Sequence, residues 1–357
     1  MSGLLEVLDG GIANSIQDLG RFGVRHMGIA VSGALDPVLA RCANALVGNA
    51  PDCACLEVRA VGPTLIVRHG RVRVALAGEL DAQVRRGSGS GCVQALSAWS
   101  SLTLFPGDVI EVGYLAAGTA YLAITGGICV PSQLGSRSTY PRARIGGIDG
   151  ELLSAAHLLP CASETHHAHR EFHGQPWRYP DTPVRVMLGP QAEHFTPASV
   201  ARFLAEEFVV TPNQDRMGVR LEGTPLEHIS KAAADIVSDG VTPGTVQVPG
   251  NGQPIILLAD CQTVGGYPKI ATVISADLYR LAQWQPGQRV RFAVVDLADA
   301  RLALAEREAQ WAAWVAGIAF GLPNPQALYN DLSSVWTDDD ESDAGNTIAT
   351  LTTEKSA

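Results

Sequence analysis

Lysine is nearly missing from this chain. Among 26 basic residues in 357 positions, only Lys231, Lys269 and Lys355 are lysines, and the others are arginines. Chemistry that needs a compact, titratable ammonium therefore has three candidates. None of them has the glycines of a G-x-x-x-x-G-K-[ST] loop before it, which excludes a P-loop nucleotide site. The Gly-rich run GSGSG at 87–91 does not fit G-x-G-x-x-G, which argues against a Rossmann dinucleotide site. No G-x-S-x-G occurs, so the usual hydrolase elbow is missing. No apolar run reaches the roughly 18 residues of a membrane span. The start, MSGLLEVLDGG, lacks the basic region, apolar core and cleavage site of a secretory signal. The seven cysteines are odd in number and scattered, with Cys53 and Cys55 as C-x-C rather than C-x-x-C. That pattern reads as reduced thiols in a cytoplasmic protein.

Charge is also scarce. Only 17% of residues are charged, 46% are hydrophobic, and the net charge is −10. The chain reads as globular, with length for two domains, and its acidity argues against nucleic-acid or membrane partners. Half of that net charge comes from residues 337–357, which hold six acids and one lysine. Residues 323–357 read as a disordered acidic tail.

What is present is mainly β with a few helices. TLIVRHGRVRVALAG (64–78), SSLTLFPGDVIEVG (100–113) and TAYLAITGG (119–127) are short β-branched runs cut by turn residues. Asp36-Pro37 and Thr196-Pro197 open helices as cap plus proline, and Ser275 is placed to cap ADLYRLAQW. Residues 299–322 read as the longest helix, apolar around much of its circumference. A weak repeat links QDLGRFGVRHMG (17–28) with QDRMGVRLEG (214–223); a strand pair and then a Pro-Gly turn follow each in the same order. The reading is two copies of one β-rich unit, 1–160 and 184–322, joined by a His- and Pro-rich linker at 161–183. In that linker His166, His167, His169 and His173 stand beside Glu164 and Glu171. Metal ligands need a rigid frame, and this stretch reads as a loop, so no metal site is assigned.

Four segments set polar residues among glycines. The first holds Asp18, Arg21 and Arg25, readable as a site or as an internal Asp–Arg pair that fixes a loop. In the second, VSGALDP, Asp36 is a helix N-cap, and the N-terminus beside Ser32 and Gly33 also suits an anionic group. The third, LGSRSTYPRARIGG, offers the guanidinium of Arg137 with the hydroxyls of Ser136, Ser138 and Thr139, a set suited to carboxylate, ureido or phosphate oxygens. In the fourth, strand PIILLAD delivers Asp260, Gln262 and Thr263 to its end, Gly265-Gly266-Tyr267-Pro268-Lys269 follows, and Gln247 lies just upstream.

Taken in order, NSIQDLGRFGVRHMGIAVSGALDP, LGSRST, GPQAEHF, QDRMGVRLEG, GTVQVPGNGQPIILLADCQTVGGYPKIATVISADL and LAQWQPGQRVRF resemble the biotin-dependent carboxyltransferase family. That family is also called allophanate hydrolase subunit 2 or KipA, and it includes the C subunit of 5-oxoprolinase. The resemblance runs from about residue 4 to 296. It implies two tandem cyclophilin-like β-barrel domains. It implies one component of an ATP-dependent 5-oxoprolinase, working with a KipI-like B subunit and a LamB/YcsF-like A subunit. Two other roles follow from the same resemblance: one half of a biotin-dependent urea or guanidine carboxylase, and a non-enzymatic KipA-like regulator. No lysine here follows Met, so any biotin is carried on another chain, and ATP is used by the assembly. On this reading Lys269 polarises a carbonyl or phosphoryl oxygen and Asp260 orients it. Arg137, Ser138, Thr139, Gln247, Thr263, Tyr267, Asp18, Arg21 and Asp36 bind substrate. Cys261 stands where the resemblance leads one to expect arginine, which points to a different substrate contact.

Overall fold

The computed structural model describes residues 2–87, 92–163 and 171–320. The acidic tail, together with His166, His167, His169 and Glu164, lies outside the described residues. The first unit contains two antiparallel sheets. One has six strands in the order Leu158–Ala162, Ser2–Asp9, Thr64–His69, Val109–Val112, Ala82–Arg85, Val93–Leu96. The other has five, in the order Ser15–Gln17, Cys55–Val58, Ala120–Ile124, Val72–Ala77, Ser101–Leu104. Alternation sends Leu5 and Val7 inward, where they meet Val67, Leu76 and Leu122 in one apolar core.

In the second unit eight strands form one sheet: Arg289–Val290, Phe208–Gln214, Gly218–Glu222, Ile255–Leu257, Thr245–Gln247, Lys269–Val273, Val184–Leu188, Phe292–Val294. The two edge strands are consecutive in sequence, with Arg291 alone between them, so the sheet curls until it is nearly a closed barrel. Phe203, Phe208 and Phe292 fill it, with Phe203 and Phe292 stacked at 4.6 Å between centroids.

Among the described residues, four α-helices decorate these sheets. Helix α1 (Pro37–Leu46) starts at Asp36, whose carboxylate accepts from the Val38 and Leu39 amides, and it packs on the five-stranded sheet. Helix α2 (Pro197–Ala205) is capped by Thr196, as its sequence predicts. Helix α3 is shorter than ADLYRLAQW suggests: it covers only Leu278–Leu281 and begins at Asp277, not Ser275. The Asp277 side chain is drawn away to Arg185 and Arg280, so no side-chain cap forms. Helix α4 (Leu297–Ala316) is capped by Asp296, earlier than the predicted start, and stops before Gly317. It crosses back to the first unit. Arg41 of α1 holds Glu308 at 2.8 Å and stacks on Trp311, while Trp314 meets Trp99 edge-on.

The two repeat segments differ in local shape. Gln214 to Gly218 turns the hairpin between Phe208–Gln214 and Gly218–Glu222. Its counterpart leaves the strand Ser15–Gln17 as an open loop and a 3-10 turn at Arg25–Met27. Gly20, Gly23 and Gly28, at φ of 102°, 82° and 80°, allow that wider path. No helix among the described residues is long and apolar enough to cross a membrane.

Candidate functional site

Asp18 builds the first part of the site. Its Oδ1 accepts from the hydroxyls of Ser136 and Ser138, both at 2.6 Å, and from the Gly20 amide at 2.8 Å. Its Oδ2 accepts from the Arg137 amide at 2.6 Å. Asp18 therefore orders the LGSRST loop and makes no ion pair with Arg21 among the described residues. Arg21 is wholly buried and donates to the Ser138 carbonyl at 2.6 Å. Burial pulls its pKa below the ordinary value, and nearby Asp18 and Asp260 oppose that pull. Gly146 and Gly147 press on this loop: a Cβ would lie 2.7 Å from Arg21 Nη2 at Gly146 and 2.2 Å from Thr139 Oγ1 at Gly147. The Arg137 side chain is exposed and turns to the Val130 carbonyl at 2.8 Å. Ser138 and Thr139 are fully buried behind it.

Arg216, in the hairpin turn between Phe208–Gln214 and Gly218–Glu222, joins the two units. Its Nη1 meets Glu57 Oε1 at 2.5 Å, its Nε and Nη2 meet both oxygens of Asp260 at 2.9 and 3.0 Å, and Nη2 also donates to the Gly33 carbonyl at 2.7 Å. Burial alone would lower its pKa, but Glu57 and Asp260 outweigh that and hold it above the usual arginine value. Asp260 also accepts from Ser32 Oγ at 2.7 Å, and Glu57 from Tyr121 Oη at 2.7 Å and the Leu35 amide at 2.8 Å. The first repeat segment answers in the other direction. Arg25 donates to the carbonyls of Val241 and Gln262 in the second unit. Cys261, fully buried next to it, lies in a small cluster with Val241 and Leu257.

Asp36 sits beside this seam. Its Oδ1 caps α1, and its Oδ2 accepts from Tyr179 Oη at 2.6 Å and Gln283 Nε2 at 2.9 Å. Burial raises its pKa to about 6, with the four hydrogen bonds working against the rise. A raised acid pKa means that the folded state binds the extra proton. The stability this group contributes is therefore complete below about pH 4 and is lost as pH rises through about 6. We expect Asp36→Asn to flatten that part of the profile. Urea unfolding of both proteins from pH 4 to 7 checks it, and parallel profiles would refute it.

A cavity of about 610 Å³ opens against the second barrel and carries Gln247, Gln262, Tyr267, Ile255, Leu257, Arg220, Asp215 and, from the first unit, Arg142. Gln247 lies opposite Lys269 in the ladder, so both side chains share a face. Lys269 is only 4% exposed and pairs with the exposed Asp239 at 2.9 Å. The Lys269 ammonium holds the Asp239 carboxyl below its ordinary pKa. Asp239 belongs to a two-stranded ribbon, Asp239–Gly240 with Val264–Gly265, that lies over the lysine. Thr263 props the ribbon through its carbonyl, which accepts from the Val241 amide at 3.1 Å.

The structure thus gathers Gln247, Tyr267 and Lys269 in and beside one cavity. Asp260 and Asp36 stand in the buried seam between the units, Asp18 and Arg21 are buried within the first unit against the Ser136–Ser138 loop, and Arg137 faces outward. Sequence reasoning missed Arg142, Arg216, Arg220, Glu57 and Asp239. Arg216 and Arg220 are visible in the repeat, and Arg142 follows a proline within the third segment, where an arginine on a rigid turn is a signal. Glu57 and Asp239 carry no local mark.

The family described as carboxyltransferase domain, subdomain A and B, matches residues 27–294. The C subunit of 5-oxoprolinase from Haemophilus influenzae is 35% identical over 298 residues, covering 83% of this chain and 93% of the relative. Its counterpart from Escherichia coli, also a 5-oxoprolinase C subunit, is 36% identical over 303 residues, with the same coverage of 83% and 93%. The crystal structure of Kluyveromyces lactis urea carboxylase superposes with a TM-score of 0.76 at 25% identity, over 87% of this chain and 29% of that one.

Proposed function

Because the chain belongs to the carboxyltransferase domain family, subdomains A and B, we propose that it is the C subunit of an ATP-dependent 5-oxoprolinase. That complex would open the lactam of 5-oxo-L-proline with water to give glutamate, alongside hydrolysis of ATP. The observation that carries the reading is the cavity shared between the two units, where Gln247 and Gln262 stand over the apolar floor of Ile255 and Leu257. A lactam has one carbonyl acceptor, one N–H donor and a ring of methylenes, and primary amides over an aliphatic floor match each of these. Gln262 Nε2 donates to Gln247 Oε1 at 3.4 Å, a long bond that a ligand amide can replace.

An amide resists water because resonance stabilises it. The carbonyl therefore needs activation, and Lys269, opposite Gln247 in the ladder and paired with Asp239, is the residue we assign to stabilise negative charge developing on its oxygen once substrate draws the ammonium from that pair. ATP supplies the driving force when the complex is assembled. The cavity fits poorly to a magnesium-bound triphosphate, because its single carboxylate, Asp215, is turned to the amides of Met217 and Gly218. That supports nucleotide use on a partner, with a KipI-like B subunit and a LamB/YcsF-like A subunit completing the enzyme in the cytoplasm. The test is reconstitution: the three chains together should convert 5-oxo-L-proline to glutamate with ATP, and omission of this chain should abolish it. Turnover undiminished without it would refute the reading.

The likeness to urea carboxylase favours a second reading, carboxyl transfer from carboxybiotin on another chain to a ureido or guanidino nitrogen. This chain covers only 29% of that enzyme. Avidin would stop this activity and leave a 5-oxoprolinase untouched.

A further inference from the structure

We propose that Arg142 and Arg220 form a carboxylate clamp across the mouth of the cavity, which makes the substrate an anionic amide rather than a neutral one. The inference rests on the reading of this cavity as the substrate site.

The two arginines come from different units. Arg142 stands on the 3-10 turn Pro141–Ala143. That turn is closed on both sides: the amides of Tyr140 and Ile145 donate to each other's carbonyls, and the Ala143 and Arg144 amides return to Tyr140 and Pro141. Tyr140, 8% exposed, roots it in the first unit. Arg220 lies in the strand Gly218–Glu222, opposite Ile255. Its neighbours Val219 and Leu221 are buried in the barrel, so alternation turns Arg220 outward with Gly218, onto the cavity side. Rigid placement matters because a guanidinium that is already oriented loses less freedom when it binds.

Neither arginine has an acidic partner within 4 Å or a hydrogen-bond acceptor among the described residues. That contrasts with Arg216, two positions before Gly218, which engages two carboxylates. The one acid of the cavity, Asp215, is occupied by backbone amides of its own turn. Two unneutralised forks at one cavity create a positive potential, and planar bidentate recognition is what an arginine offers a carboxylate. A neutral urea has no group for them. A lactam acid places its amide on Gln247 and Gln262 and its carboxylate between the arginines.

The test uses the reconstituted complex with 5-oxo-L-proline as substrate and 2-pyrrolidinone, the same ring without the carboxylate, as competitive inhibitor. Arg142→Ala and Arg220→Ala should each raise KM for 5-oxo-L-proline about 10- to 100-fold, as loss of a charged hydrogen bond does. We expect kcat to stay within about 3-fold, because the contact is made equally in ground and transition states. The inhibition constant of 2-pyrrolidinone should not move. Both residues are exposed, and an unchanged melting temperature will show that the variants fold. An unchanged KM, or equal weakening of 2-pyrrolidinone, overturns the clamp and leaves the lactam-opening reading standing. A wild-type complex that carboxylates urea and ignores 5-oxo-L-proline overturns both.

Discussion

Arg216→Ala should lower the unfolding free energy by about 3–5 kcal/mol, the largest stability loss expected of any single substitution in the seam between the units. The arginine is the sole ion-pair partner of Glu57 and Asp260 among the described residues. Glu57 is fully buried and Asp260 is 5% exposed. Truncating Arg216 leaves two carboxylates in a poorly hydrated seam with only Ser32, Tyr121 and the Leu35 amide to solvate them. Arg216→Lys should recover part of the loss, because one ammonium restores the charge but cannot reach Glu57, Asp260 and the Gly33 carbonyl at once. Urea unfolding of the three proteins measures this. A loss below about 1 kcal/mol for Arg216→Ala would mean that the seam is held by its apolar contacts alone. Activity should fall with stability, because Met217, Gly218 and Arg220 continue from Arg216 directly into the cavity wall.

That arginine also shows where sequence reading reaches its end. The caps at Asp36 and Thr196 are legible because donor and acceptor lie within three residues. The strands Thr64–His69 and Val72–Ala77 on either side of Gly70 are legible as elements for the same reason, but they enter different sheets instead of pairing with each other, and no local signal announces that. The mainly β architecture follows from many such local signals. Ser275 fails as a cap because Asp277 lies nearer the helix, and the Asp277 side chain is drawn away by Arg185, 92 residues upstream. The seam is illegible in kind. Glu57 and Arg216 are 159 residues apart, and nothing near either predicts the other. Asp260 invites a chemical role because it ends a buried strand beside a Gly-rich turn. The fold gives it Nε and Nη2 of Arg216 and the Ser32 hydroxyl instead. Arg137 and Arg142 share one segment, and the sequence favours the one among hydroxyls. The hydroxyls of Ser136 and Ser138 belong to Asp18, which leaves the cavity to the arginine five residues on.

Lys269→Met should reduce kcat of the assembled complex about 100- to 1000-fold, the effect of removing one preorganised donor from a developing oxyanion. Scarcity of lysine singles out this position in the sequence, and the structure gives it a physical setting. The ammonium is 4% exposed, whereas the paired Asp239 carboxylate is exposed to water. The pair is therefore asymmetric. Removing Lys269 leaves behind a hydrated carboxylate, which costs little, and methionine fills the space of the buried stem. Removing Asp239 leaves a buried ammonium without its partner, so Asp239→Asn should be the more destabilising of the two. Asp239 also competes for the ammonium with any oxygen entering from the cavity. Substrate must shift the ribbon of Asp239–Gly240 and Val264–Gly265 or share the lysine with it. Two measurements separate chemistry from folding: kcat of the complex and the melting temperature of the chain. A Lys269→Met protein with normal melting and kcat within about 2-fold of wild type would remove the lysine from the mechanism. Loss of kcat with intact melting and assembly would place the one buried lysine of the second barrel at the reacting carbonyl.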